Sequence, residues 1–291
     1  MKKQLSPSEL ILNTDGSVYH LHLLPEDLGE HILTVGDPDR VASVSKFFDK
    51  IEVRKQKREF ITHTGTYKGK RFTVLSTGIG TDNIDIAFNE LDALVNIDLK
   101  NRSIKDQLTS LKIIRLGTSG ALHADIAPDS FVVSEYGLGF DGLMNFYKLA
   151  PNEDESRVLS SFNAHFGNAE TIAKLYLFGT SPSLVKQLGE GMLKGITATC
   201  SGFYAPQGRV LRYELAYPEL IDKISSYRDG DLRVTNFEME TSAMCGLARL
   251  LGHETCSVNA IVANRIMGAF TNKAEETMDR MIQTVLDRLA V

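Results

Sequence analysis

Short apolar runs alternate along this chain with segments of helical periodicity, and that alternation limits the fold more than any other feature. HILTV (31–35), KIIRLG (112–117), FVVSE (131–135), GITATC (195–200) and CSVNAIVAN (256–264) read as strands. EFITHTGTYKGKRFTVLSTG (59–78) predicts two strands about a Lys68-Gly69-Lys70 turn. Ile84, Ala87, Phe88, Leu91, Leu94 and Val95 fall on one helical face. FEMETSAMCGLARLLG (237–252) predicts a helix closed by Gly252, with Arg249 near its end, and KAEETMDRMIQTVLDRLA (273–290) a terminal helix. Interleaved strands and helices imply an α/β class, with helices around a sheet. No linker divides the chain, so residues 1–291 read as one domain, with 1–30 as an irregular arm and the polar stretch 99–111 as a surface excursion.

Bulk properties exclude several function classes. The net charge of −5 argues against a nucleic-acid partner. Cys200, Cys245 and Cys256 are too scattered for a disulfide framework or a CxxC metal site, and read as buried, inert thiols. No signal peptide or membrane span is expected, which points to the cytoplasm.

Five constellations are candidates for carrying chemistry. Gly36-Asp37-Pro38-Asp39-Arg40 follows a strand and opens a helix that Asp37 would cap, with Val41, Val44 and Phe48 on one face. Such a turn presents backbone amides to an anion, and Arg40 can close over it, although a capped helix with a solvated arginine has the same pattern. Arg115 sits inside an apolar strand, where an unpartnered charge is costly. The following Gly-Thr-Ser-Gly offers amides and hydroxyls, so the segment reads as an oxyanion cradle or as a structural ion pair. Ala121 breaks a GxSxG elbow, and no Gly-Lys-Ser/Thr P-loop is present. Ser76–Asn83 approaches a GxGxxG fingerprint, with Asp98 downstream, but Asn83 replaces the third glycine. Glu238-Met239-Glu240 opens a predicted helix, where acidic residues favour the dipole and a single glutamate can also grip two sugar hydroxyls. In Phe203-Tyr204-Ala205-Pro206-Gln207-Gly208-Arg209, an aromatic, an amide and a guanidinium share one short loop, which suits either a flat ring with polar edges or an ordinary surface turn.

In this order, VYHLHL, VGDPDR, REF, STGIG, RLGTSG, FYAPQGR, NFEMET and IVANR resemble the family I nucleoside phosphorylases, from about His20 to the terminal helix. The resemblance implies a mixed, partly closed sheet in a three-layer α/β/α arrangement. It assigns phosphate binding to Gly36, Arg40, Arg115, Gly117 and Thr118, with Arg58 lent by a neighbouring subunit. Glu238, Met239 and Glu240 would hold ribose, with His20 also from a neighbour. Phe203, Gln207, Arg209 and Arg265 would meet the base, and Arg40, Arg115, Gln207 and Arg209 would carry catalysis. Purine-specific relatives typically place an aspartate where Asn264 and Arg265 stand, so the implied reaction is uridine plus phosphate to uracil plus ribose 1-phosphate. A purine phosphorylase, a nucleoside hydrolase and a non-catalytic nucleoside sensor are the alternatives. The resemblance implies a homo-oligomer, dimer or hexamer, with inorganic phosphate as co-substrate and no cofactor or bound metal. Ser119 stands where a second threonine is usual. Thr81-Asp82-Asn83 replaces the usual Gly-Pro-Ser, which weakens the case for the intersubunit monovalent cation that Glu59 would help hold.

Overall fold

The computed structural model describes residues 4–167 and 172–291, so the first residues of the N-terminal arm lie outside it. The elements are β1 (His31–Val35), α1 (Arg40–Ser45), β2 (Lys50–Lys57), β3 (Phe60–Tyr67), β4 (Lys70–Ser76), α2 (Thr81–Asn96), β5 (Ile97–Asp98) and β6 (Ser103–Ile104). They continue as β7 (Lys112–Ala121), β8 (Phe131–Gly139), α3 (Glu153–Phe166), β9 (Tyr176–Gly179), α4 (Pro182–Leu188), β10 (Leu193–Thr199) and α5 (Leu220–Ser226). The last are β11 (Arg228–Asp229), β12 (Leu232–Glu238), α6 (Thr241–Leu251), β13 (Glu254–Asn264), β14 (Ala269–Phe270) and α7 (Ala274–Ala290).

The strand HILTV is buried throughout, as expected of a strand covered on both faces. It lies parallel between β4 and β7 in a sheet ordered β11-β12-β10-β8-β13-β7-β1-β4-β3-β2. β12 also pairs antiparallel with β7, through Asn236–Ala121 and Phe237–Gly120. That pairing closes β7, β13, β8, β10 and β12 into a ring and leaves β1, β4, β3 and β2 as an open wing, so the sheet is mixed and partly closed.

Helices cover the sheet because each carries an apolar stripe. α2 and α6 pack with Leu10, Val18, Leu21 and Leu23 of the N-terminal segment on one side, and α1, α4 and α7 pack on the other. Met281, Ile282, Val285 and Leu286 of α7 are fully buried, each stabilising by about 1.5–3 kcal/mol. The N-terminal segment is irregular, as expected, but it is docked: Arg102 holds the Leu10 carbonyl, and Lys57 reaches Asn13.

Three local expectations change. β7 does not end at Gly117 but runs through Thr118-Ser119-Gly120 to Ala121, because β13 follows it residue by residue past a bulge after Ile261. The helix expected from Phe237 begins only at Thr241, because Phe237 and Glu238 finish β12. α1 begins at Arg40, and the Asp37 carboxylate takes the Asp39 amide in a turn rather than capping the helix. Gly252 does close α6, in the left-handed conformation.

Candidate active site

The carboxyl ends of β1, β7, β12 and β13 open into a cleft of about 1000 Å³, the position where α/β sheets place ligands. Gly36, Arg40, Arg115, Thr118, Ser119, Phe203, Gln207, Arg209, Glu238, Met239, Glu240 and Arg265 all line it. Residues from five separate sequence segments therefore meet at one place.

Arg115 is the buried centre. Its Nη1 donates to Asn259 Oδ1 at 2.7 Å, and its Nη2 to Glu240 Oε2 at 2.5 Å, with Glu238 Oε2 at 3.2 Å. Burial opposes its charge, but Glu238 and Glu240 outweigh that and raise its pKa. The structural ion pair and the cradle are thus the same object. Arg40 is half-buried and lines the same cleft. Burial first, and the adjacent Arg115 second, lower its pKa, while Asp37 and Glu240 work the other way. Two guanidiniums facing one cavity form a site for an anion, which would relieve their mutual repulsion.

The two glutamates have different roles. The Glu238 carboxylate accepts the backbone amides of Glu240 (2.9 Å) and Thr241 (3.0 Å) and the Thr199 hydroxyl (2.8 Å), so it caps α6 from the end of β12. Burial, then neighbouring Glu240, push its pKa up, while Arg115 and these hydrogen bonds pull it down. Glu240 accepts Arg115 and the Gly80 amide, at 2.8 Å from Oε1. The glycine-rich loop before α2 thus positions a carboxylate instead of cradling a dinucleotide, and Asp98 is engaged by Asn101 in its own loop.

At the far end, Gln207 is buried while Phe203 and Tyr204 stay half-exposed. Arg209 lies 3.7 Å over the Phe203 ring and donates to Gln207 Oε1 at 2.6 Å, which turns the Gln207 amino group outward as a donor. Arg209 and Arg265 flank the Phe237 ring, and Arg265 Nη1 is buried without a partner among the described residues. Asn264 is spent on backbone: its Nδ2 donates to the His123 and Ile126 carbonyls, and its Oδ1 accepts from Ile266 and Met267.

Other expected residues stand apart. Gly117 does not line the cleft; a Cβ there would lie 1.7 Å from Arg115 Nη1, so the glycine is the space across which the guanidinium lies. Arg58 is exposed at the β2–β3 turn with φ of 55°, and Glu59 faces the cleft. His20 is clamped by Glu90, which accepts its backbone amide and its Nδ1. Neither Arg58 nor His20 lines the cleft of its own chain. Among the described residues, no cluster of metal-ligating side chains occurs. Sequence reasoning missed Asn259 and Phe237; the signal for Asn259 was a polar residue amid CSVNAIVAN, opposite the strand that carries Arg115.

The phosphorylase superfamily model matches residues 30–290, and the chain belongs to that superfamily. It is similar to a uridine phosphorylase of Thermococcus kodakarensis, 29% identical over 265 residues, which are 90% of this chain and 83% of that protein. A DeoD-type purine nucleoside phosphorylase of Bacillus thuringiensis is 27% identical over 271 residues, 92% of this chain and 97% of that one. Among solved structures, a Trypanosoma brucei nucleoside phosphorylase described as showing uridine phosphorylase activity superposes with a TM-score of 0.88 at 29% identity, covering 96% of this chain and 99% of that chain.

Proposed function

We propose that the protein is a pentosyltransferase that cleaves uridine with inorganic phosphate, giving uracil and ribose 1-phosphate. The observation that carries this is the meeting, in one cleft, of Arg40 and Arg115 with Glu240 and the Gln207–Arg209 pair. Arg40, Arg115, Thr118 and the Gly36 turn hold phosphate beneath the sugar, and Glu240, beside Met239, holds the ribose hydroxyls. A phosphate oxygen attacks C1′ as the bond from C1′ to the base breaks, and the electron pair leaves on uracil. Gln207 and Arg209 donate to its carbonyls, while Phe203 and Phe237 bound the ring. The protein's part is alignment of phosphate and preorganised donors at the departing charge.

The pyrimidine assignment is supported over the purine one by Asn264. Its amide is consumed by the His123 and Ile126 carbonyls and by the Ile266 and Met267 amides, so the place where purine-specific relatives carry an aspartate has no group left for a purine N7. The donors Gln207, Arg209 and Arg265 suit a ring edged with carbonyls.

Arg58 and His20, which do not line the cleft of their own chain, complete that of a second copy, so the working form is a homo-oligomer, and the reaction serves pyrimidine salvage in the cytoplasm. Inorganic phosphate is the only co-substrate needed. Incubating the protein with uridine, with and without phosphate, tests the proposal. Phosphate-dependent release of uracil with ribose 1-phosphate is expected. Uracil without phosphate would make it a hydrolase, and preference for inosine a purine enzyme.

A further inference from the structure

The geometry points to Asn259 as a positioning residue that holds the Arg115 guanidinium toward the anion, an inference that rests on phosphate binding at Arg115. Arg115 and Gly117 face the same side of β7, and their cross-strand partners on β13 are Ser257 and Asn259. Gly117 has no side chain, so the Arg115 guanidinium lies across it and reaches Asn259 Oδ1 at 2.7 Å. The other end of the amide, Nδ2, donates to Ser257 Oγ at 3.1 Å. That oxygen also accepts Thr241 Oγ1 at 2.9 Å, and the Thr241 amide donates to the Glu238 carboxylate at 3.0 Å. Glu238 returns to Arg115 at 3.2 Å. The polar groups form a closed ring, from Arg115 through Asn259, Ser257, Thr241 and Glu238 back to Arg115.

The ring explains how one buried arginine beside two carboxylates can still serve an anion. Both carboxylates draw on Nη2. Left alone, the guanidinium would turn to present both terminal nitrogens to them in a bidentate pair. The Asn259 oxygen is a neutral acceptor that occupies Nη1, and its own orientation is set by Ser257. It fixes the plane of the fork without neutralising the charge. Asn259 does not line the cleft, and it acts only through Arg115.

The experiment compares Asn259→Leu, which matches size but removes the acceptor, with Asn259→Asp, which keeps an oxygen facing Nη1 but adds a negative charge. Steady-state phosphorolysis of uridine is measured in both variants and in Arg115→Ala. The Leu variant should raise KM for phosphate about tenfold, and the Asp variant by more, with KM for uridine changed less than about twofold. A phosphate KM within about twofold of wild type in either variant would overturn the inference, as would equal rises in both KM values, which mark general loosening. If Asn259→Leu does not fold, the isosteric Asp variant decides alone. Arg115→Ala separates the two levels: if it leaves phosphate KM unchanged, phosphate binding at Arg115 itself is wrong. If it abolishes phosphate use while both Asn259 variants behave as wild type, only the role of Asn259 falls.

Discussion

At the phosphate end of the cleft, Arg115 is held by Asn259, Glu240 and Glu238, whereas at the base end Arg265 keeps a buried guanidinium nitrogen without a partner among the described residues. Arg115, Asn259 and Glu238 come from paired strands and Glu240 from the turn into α6, whereas the base-end side chains come from the segments 203–209 and 265–268. Strand-borne groups are locked by register and by one another, so this end can hold a fixed anion for the chemical step. Loop-borne groups, with Phe203 half-exposed, can be repositioned without disturbing the sheet. Under the proposed function, phosphate attack falls to the interlocked end and the choice of base to the adjustable one.

The largest test of that division is Arg115→Ala. It removes the anion site and also strands Glu238 and Glu240 without their cation. We expect kcat/KM for phosphorolysis to fall about a thousandfold or more, and stability to fall by about 3–5 kcal/mol, because one partner of a buried pair has been deleted. Thermal melting beside the kinetic assay checks both. Lost activity with unchanged stability would show that the phosphate end is not as interlocked as its hydrogen bonds suggest.

At the base end the expected pattern is the reverse. Gln207→Ala and Arg209→Ala should each raise KM for uridine about tenfold to a hundredfold, leave KM for phosphate unchanged, and alter stability by no more than about 0.5–1 kcal/mol. A matching rise in phosphate KM would break the separation of the two ends.

The two ends also differed in how far they could be read from residues alone. Arg115 was legible because a charge in KIIRLG demands a partner, and the sheet class was legible because its strands are short and apolar. Gly117–Ser119 looked like a loop, since glycine and hydroxyl residues resemble turn chemistry. Only the pairing of β7 with β13 on one side and β12 on the other makes that segment a strand. The helix expected from Phe237 was placed too early because FEMETSAM keeps an apolar residue at helical spacing across the strand end. The edge strand β2, KIEVRKQK, carries charge on its outer face and had no apolar run to announce it. The ring through Asn259, Ser257 and Thr241 depends on register between distant segments, which no local pattern contains.

The smallest expected effect concerns His123, which stands beneath the base end alone. Its carbonyl holds Asn264, its Nε2 donates to the Val234 carbonyl at 2.7 Å, and Arg228 donates to its Nδ1 at 3.1 Å. The ring is therefore neutral, and burial first, with Arg233 and Arg228 adding to it, lowers its pKa despite the Val234 hydrogen bond. A histidine whose folded pKa is depressed stabilises the protein above its unfolded value of about 6.5 and loses that contribution as pH falls through the folded value. Among the described residues no histidine lines the cleft itself, and His123 holds Asn264 through its carbonyl, so acid should reach the base end through this residue. His123→Gln keeps a donor for Val234 and an acceptor for Arg228 but cannot titrate. Melting temperature should fall between about pH 7.5 and 5 in both proteins, with the variant losing roughly 1–2 °C less. His31 and His63, also lowered chiefly by burial, titrate in both and cancel from the comparison. Equal losses would remove His123 as the route by which acid reaches the base end.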